Sequence, residues 1–178
     1  MTAPGTSQPP IRVGPLAPQD RPHVEAILRA TGVFRPEEVD VALELFDESF
    51  DSARSDYALL GALDGDGRLV GYACYGPTPG TDRTYDLYWI AVHPSAQGTG
   101  AGTRLLDEVE RRAQSEHARL LVVETSSRDD YAATRGFYRA RGYAVAAELG
   151  NSYAPGDDRV IFTKRFHSPH DGRGAAAR

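Results

Sequence analysis

Apolar positions recur along the chain at helical spacing in some stretches and at strand spacing in others. Ile11 to Val13 reads as a short strand, and Val24, Ile27 and Leu28 then form a helical stripe that ends near Gly32. A second helix is expected from about Pro36 to Phe50, with Val39, Leu43, Phe46 and Phe50 on one face and an acidic remainder. Tyr57 to Leu63 and Arg68 to Tyr75 flank Asp64-Gly65-Asp66-Gly67, a turn signal that predicts a β-hairpin. Tyr85 to Val92, rich in aromatic and β-branched residues and stopped by His93-Pro94, reads as a central strand. From Gly100 the stripe Leu105, Leu106, Val109 and Ala113 predicts an amphipathic helix, and Leu120 to Glu124 a buried parallel strand. A further helix covers about Asp130 to Arg141, and strands at Tyr143 to Leu149 and Val160 to Lys164 are separated by the loop Asn151 to Asp158. The expected order is β-α-α-β-β-β-α-β-α-β-β, one α/β domain over residues 11–166. Residues 1–10 and 167–178 lack a periodic apolar face and read as disordered tails.

The connection between the central strand and the next helix carries the chemistry. Amides at a helix N-terminus point outward without partners, and the aligned peptide dipoles add positive charge, so phosphates bind there. In Gln97-Gly98-Thr99-Gly100-Ala101-Gly102 three alternate positions lack a Cβ, which suits a diphosphate-bearing ligand as well as a tight strand-to-helix turn. A Walker-type loop would need Lys and then Ser or Thr after the last Gly, where Thr103 and Arg104 stand. A dinucleotide fingerprint would need Gly at position 103 and glycines directly after the strand, although Glu124 falls where a ribose-binding acid would.

Composition narrows the partners. Asp plus Glu number 25 against 20 Lys plus Arg, a net charge of -5, so no basic face for nucleic acid or anionic lipid is expected and a cationic substrate is the easier match. The single Cys74 cannot form an intrachain disulfide and reads as a packed thiol. No stretch suits a membrane span or a secretory signal, so a cytoplasmic location is expected. His167 and His170 lack companions for a metal site, and no metal is expected.

Gln97, Gly100 and Gly102 fill a pattern of Gln or Arg, two residues, Gly, one residue, then Gly or Ala, and Phe137-Tyr138-Arg139-Ala140-Arg141-Gly142-Tyr143 fills a second, Phe-Tyr, three residues, Gly and an aromatic. In both motifs and in element order, from about Ile11 to Phe166, the chain resembles the GNAT superfamily of acyl-CoA-dependent N-acetyltransferases. The resemblance implies an α/β (α+β) fold with about four helices around a mixed, mostly antiparallel sheet of about seven strands, splayed between its fourth and fifth strands where acetyl-CoA sits. It further implies that backbone groups of Ile90, Ala91 and Val92 bond the pantetheine and that the turn from Gln97 through Gly98, Thr99, Gly100, Ala101, Gly102 and Thr103 holds the pyrophosphate. The expected activity is acetyl transfer from acetyl-CoA to a primary amine of a small cationic acceptor or a protein N-terminus. An acyl-CoA-binding module without turnover and a dinucleotide-dependent enzyme are the alternatives.

An alkyl ammonium at neutral pH is only about one part in a thousand neutral, so a base should accept its proton. Asp86, six residues before Val92 and eleven before Gln97, matches the position that carries a Glu base in histone-acetylating relatives. An Asp paired with a neighbouring strand or with Arg83 is the bland alternative. Glu124, at the end of a buried strand, is a second candidate base or a surface-edge Glu. Tyr138 matches the family position of the acid that protonates the departing thiolate and contacts the cofactor, or is a core tyrosine. Ser126 and Ser127 stand where many relatives carry a cofactor-contacting Asn and would cap the following helix. Tyr85, Tyr88 and Trp89 read as core, and His93 as a strand terminator. Asp47, Glu48, Asp51, Asp86, Asp157 and Asp158, with Tyr153, could attract an amine. Edge pairing of the last strands would give a homodimer.

Overall fold

A computed structural model describes residues 10–51 and 56–166. Apart from Pro10, the expected tails lie outside these residues, as do His167 and His170. The elements are β1 (Arg12–Pro15), α1 (Arg21–Thr31), α2 (Pro36–Glu48), β2 (Ala58–Leu63), β3 (Leu69–Pro77), β4 (Thr84–Val92), α3 (Ala101–Ser115), β5 (Leu120–Ser126), α4 (Ala132–Ala140), β6 (Ala144–Ala154) and β7 (Asp157–Arg165). Short 3-10 turns precede α1, α3 and α4. The strands form an open seven-stranded sheet in the order β1-β2-β3-β4-β5-β7-β6. The β4 and β5 ladder is parallel and comprises four positions, Thr84↔Leu120 to Leu87↔Val123. The pairs β1·β2, β5·β7 and β6·β7 are antiparallel. Among the described residues no helix is long and apolar enough to cross a membrane.

Contacts divide the chain into two compact units, Met1–Cys74 with Trp89–Glu108, and Tyr75–Tyr88 with Val109–Arg178. In the first, the helical stripes read from sequence are the buried faces: Val24, Ile27 and Leu28 of α1 and Val39, Ala42, Leu43 and Phe46 of α2. Gly32 ends α1 at a φ of 69°, a left-handed conformation that lets the chain turn at once toward α2. Pro36 opens α2, where the Arg35 N–H donates to the Glu38 carboxylate at 2.7 Å. The expected hairpin forms between β2 and β3. Asp64 Oδ1 accepts the N–H groups of Asp66 and Arg68, both at 3.0 Å, and Gly67 takes a φ of 81°. Gly71 lets β3 approach its neighbours, since a Cβ there would meet Leu105 Cδ1 at 3.0 Å, the Ala91 carbonyl oxygen at 3.1 Å and Val92 Cγ2 at 3.3 Å.

In the second unit β5 and β7 carry the core residues Leu121, Val123, Val160 and Phe162. The Glu110 carboxylate accepts from Tyr143 Oη at 2.9 Å and Lys164 Nζ at 2.6 Å, and Glu116 accepts from Tyr85 Oη at 2.7 Å. These bonds satisfy polar groups that would otherwise be costly beside apolar neighbours. The expected loop from Asn151 to Asp158 is mostly strand. The ladder slips between Leu149 and Ala154, where Asn151 sits at a φ of 54° and its Oδ1 accepts the Gly156 N–H at 2.7 Å. Asp158 Oδ1 accepts the Asn151 N–H at 2.7 Å. Polar side chains thus complete the backbone bonding that the bulge interrupts, which a hydrophobicity pattern cannot reveal.

Two outcomes follow. Gly71→Ala should lower unfolding stability by about 1–3 kcal/mol, read by urea or thermal unfolding, because the Ala91 carbonyl cannot rotate away as a side chain would. Cys74 is fully buried, and desolvation pushes its thiol up to about 12. The folded value exceeds the unfolded one of about 8.5, so this stabilisation is complete below about pH 8.5 and is lost as pH rises toward the folded value, by up to about 1.4 kcal/mol per pH unit. Buried Tyr72 and Tyr138 act in the same direction above the ordinary phenol range. Urea midpoints should therefore fall above pH 8.5, less steeply for Cys74→Ala, and native Cys74 should resist thiol reagents that modify the unfolded chain.

Candidate active site

β4 ends at Val92, and the chain passes through the 3-10 turn Pro94–Ala96 into α3. His93 begins that turn, its Nδ1 accepting the Ser95 N–H at 3.2 Å, so it caps as well as terminates. Gln97 reaches back with Nε2 donating to the Val92 carbonyl at 3.4 Å. Gly98 and Gly100 sit at φ of 77° and 90°, conformations that a side chain would strain, and among the described residues, chain neighbours aside, nothing lies within 4 Å of where their Cβ atoms would be. These glycines are therefore required by backbone conformation, with open space beside them. Three N–H groups of the turn are bonded internally: Gln97 to the Pro94 carbonyl at 3.3 Å, Thr99 to Ala96 at 3.3 Å and Arg104 to Gly100 at 2.9 Å. The N–H groups of Gly98, Gly100, Ala101 and Gly102 have no acceptor among the described residues. Ala101 is only 1% exposed. Unbonded donors at the positive end of a fifteen-residue helix are an arrangement suited to an anion.

Tyr138 lies on α4 at 2% exposure. Gly142, at a φ of 81°, ends this segment, and the Tyr143 N–H returns to the Tyr138 carbonyl at 3.1 Å. That reversal stacks Tyr138 against Phe137, Tyr143 and Phe162, with ring centroids 5.4, 5.5 and 5.7 Å away. Burial among these rings pushes the phenol above its ordinary value. The hydroxyl stays protonated through the physiological range, and it has no hydrogen-bond acceptor among the described residues. Tyr138 is thus a core tyrosine whose hydroxyl proton is uncommitted among the described residues.

The acidic candidates separate by partner. Asp86, half-buried on β4, accepts from Thr78 Oγ1 on its Oδ2 at 2.6 Å, and its Oδ1 has no donor among the described residues. Arg83 bonds Asp82 at 3.2 Å, so the pairing of Asp86 with Arg83 does not occur. Glu124 faces solvent at 44% side-chain exposure and pairs with Arg159 at 3.3 Å. Ser126 and Ser127 do not cap the helix that follows. Ser126 donates to the carboxylate of Asp157, which is 4% exposed, and Ser127 Oγ accepts the Asp158 N–H at 2.8 Å, tying the end of β5 to the start of β7. Arg128 stands 3.8 Å from Asp157. Asp47 is taken by Arg21 at 2.7 Å. Among the acids read as an amine-attracting set, Asp47, Asp157 and Asp158 therefore serve internal bonds.

Of the aromatic residues on β4, Tyr85 is buried, whereas Trp89 is half-buried and packs edge-on against Phe34 at 5.3 Å. Sequence reading missed Thr78. Its only signal is a position before the β3–β4 turn, and register across a turn is not encoded in apolar spacing.

The profile of the acetyltransferase (GNAT) family matches residues 24–143, a span that includes the glycine turn and Tyr138. The L-methionine sulfoximine/L-methionine sulfone acetyltransferase of Pseudomonas aeruginosa is 29% identical over 129 residues, covering 70% of this chain and 72% of that protein. The crystal structure of a GNAT-family protein from Desulfovibrio desulfuricans superposes with a TM-score of 0.83 at 43% identity, covering 88% of this chain and 99% of that one. The Salmonella typhimurium protein yncA, solved with acetyl-CoA, shares the fold with a TM-score of 0.71 at 20% identity, covering 93% of this chain and 99% of its own. Matched from Val24 to Tyr143 and similar to these proteins over most of its length, the chain belongs to the acetyltransferase (GNAT) family.

Proposed function

We propose that the enzyme transfers the acetyl group of acetyl-CoA to the primary amine of a small acceptor, an amino acid being the first class to test. The observation that carries this reading is the set of unbonded N–H groups on Gly98, Gly100, Ala101 and Gly102, which suits the pyrophosphate of the cosubstrate. Backbone groups of Ile90, Ala91 and Val92 are assigned the pantetheine, and Gln97 steadies the turn against the strand end. Acetyl-CoA supplies an activated thioester. Thr99 contributes through its side chain, bonded to the Ala96 carbonyl at 2.6 Å, rather than through its amide. The amino-acid class rests on the sulfone and sulfoximine acetyltransferase and on the amino-acid acetyltransferase of Ralstonia nicotianae, 34% identical over 85 residues that make up 19% of that protein.

The acceptor ammonium loses a proton to Asp86, directly or through water, and its nitrogen lone pair attacks the thioester carbonyl. The C–S bond breaks as the amide forms, Tyr138 gives its phenolic proton to the departing sulfur, and the second proton that the attacking nitrogen sheds restores the phenol, directly or through water. Asp86 suits the base role better than Glu124, because one carboxylate oxygen of Asp86 lacks a donor whereas Glu124 is paired with a cation.

Thiol release with mass detection of product, run over L-methionine sulfone, L-methionine sulfoximine, other α-amino acids, a polyamine and a peptide N-terminus, tests the activity. A product heavier by one acetyl group is expected for at least one amine. Acetyl-CoA binding without product on any of them would reduce the protein to a binding module. Tyr138→Phe should lower kcat by about 100-fold while moving acetyl-CoA affinity by less than about threefold, and unchanged turnover near neutral pH removes Tyr138 from the acid role.

A further inference from the structure

We propose that Thr78 is a positioning residue for proton transfer, its hydroxyl holding the Asp86 carboxylate so that Oδ1 alone faces the proton to be accepted. The inference rests on the acetyl-transfer reading with Asp86 as base. Thr78 is the residue after β3, Asp86 the third residue of β4, and Thr78 Oγ1 donates to Asp86 Oδ2 at 2.6 Å. A β-branched side chain has restricted χ1 freedom, so this donor is placed in advance.

The turn that presents Thr78 is held at several points. The Thr78 N–H donates to the Thr84 carbonyl at 2.8 Å, and the Thr78 carbonyl accepts from Thr81 Oγ1 at 2.7 Å and from the Thr81 N–H at 3.3 Å. Arg119 clamps the Asp82 carbonyl with Nε at 2.9 Å and Nη2 at 2.8 Å, and its N–H bonds the Arg83 carbonyl at 2.8 Å. Arg83 sits at a φ of 58°, a conformation that non-glycine residues rarely adopt. A six-residue connection is thus fixed at both ends and in the middle, and its Thr78 side chain bonds into β4 at Asp86. The strand side is equally defined, since Asp86 pairs with Val122 in the parallel ladder.

The bond leaves the carboxylate a base. A cation would neutralise it, but Arg83, three residues before it in the chain, is engaged with Asp82. A hydroxyl adds no charge and occupies only one oxygen, so Oδ1 can take a proton from the acceptor ammonium or from an intervening water while Thr78 keeps its own. Rotation of the carboxylate, which would spread its orientations, is arrested by the 2.6 Å contact. Small displacements of a reacting group cost one to two orders of magnitude in rate. A hydroxyl that only closed the hairpin would affect stability and leave turnover alone.

Kinetics of Thr78→Val, Thr78→Ser, Asp86→Asn and the double variant Thr78→Val with Asp86→Asn separate these roles, using L-methionine sulfone and each other amine of the panel that the native enzyme acetylates. Thr78→Val should lower kcat by about 10–100-fold with KM for acetyl-CoA unchanged, and Thr78→Ser should recover most of the loss. The double variant should be no slower than Asp86→Asn alone, because a positioner without its base has nothing left to orient. If Thr78→Val does not fold, Thr78→Ala carries the same comparison. Native kcat in Thr78→Val beside a slow Asp86→Asn overturns the role of Thr78 and leaves the base intact, as do strictly additive losses. Native kcat in Asp86→Asn overturns both residues but not the activity. Acetylation of no amine by the native enzyme overturns the acetyl-transfer reading and this inference with it.

Discussion

Backbone amides that the chain itself cannot satisfy are the constraint around which this protein is organised. Every helix begins with N–H groups that lack internal partners, and most proteins cover them with a capping side chain. Between β4 and α3 the chain places glycines where a cap would stand. Two of them adopt left-handed conformations, and the amides of Gly98, Gly100, Ala101 and Gly102 are left without acceptors among the described residues. The helix they open is anchored by Leu105, Leu106, Val109 and Ala113, all fully buried, so the donor array sits on a rigid base. An array of this kind selects an anion by geometry rather than by side-chain charge, which is compatible with a chain whose net charge is -5.

Proton management draws on a different principle, the environment of single titratable groups. Tyr138 is surrounded by three aromatic rings and keeps its proton because the anion would be poorly solvated there. Asp86 is half-buried and, among the described residues, touched by one hydroxyl and paired with no cation. In the proposed reaction Tyr138 would serve as the acid and Asp86 as the base for amide formation from an ammonium and a thioester. Other polar residues of the same unit are consumed in structure. Asp157, Asp158, Ser126 and Ser127 lock the bulged β6–β7 turn to β5, and Glu110 joins Tyr143 to Lys164.

Elements with strong periodicity were legible in the chain. The stripes Val24-Ile27-Leu28 and Leu105-Leu106-Val109-Ala113 are buried faces, and the Asp64 to Gly67 turn closes the hairpin expected of it. The β6–β7 segment, expected to be a long loop, is mostly strand, because Asn151 and Asp158 complete backbone bonding by side-chain contacts that depend on register. The same limit hid the use of Ser126 and Ser127, whose partners lie 31 residues away in sequence.

By itself the sequence determined element order, the glycine spacing of the turn and the Phe-Tyr motif on α4, since these depend on local conformational preference and short-range period. The tertiary structure alone decided which N–H groups of the turn remain unbonded, which carboxylate keeps an open oxygen, and that Thr78 reaches Asp86. Those outcomes depend on distances across turns and between strands, and a side chain's partner there is set by register and burial rather than by its own identity.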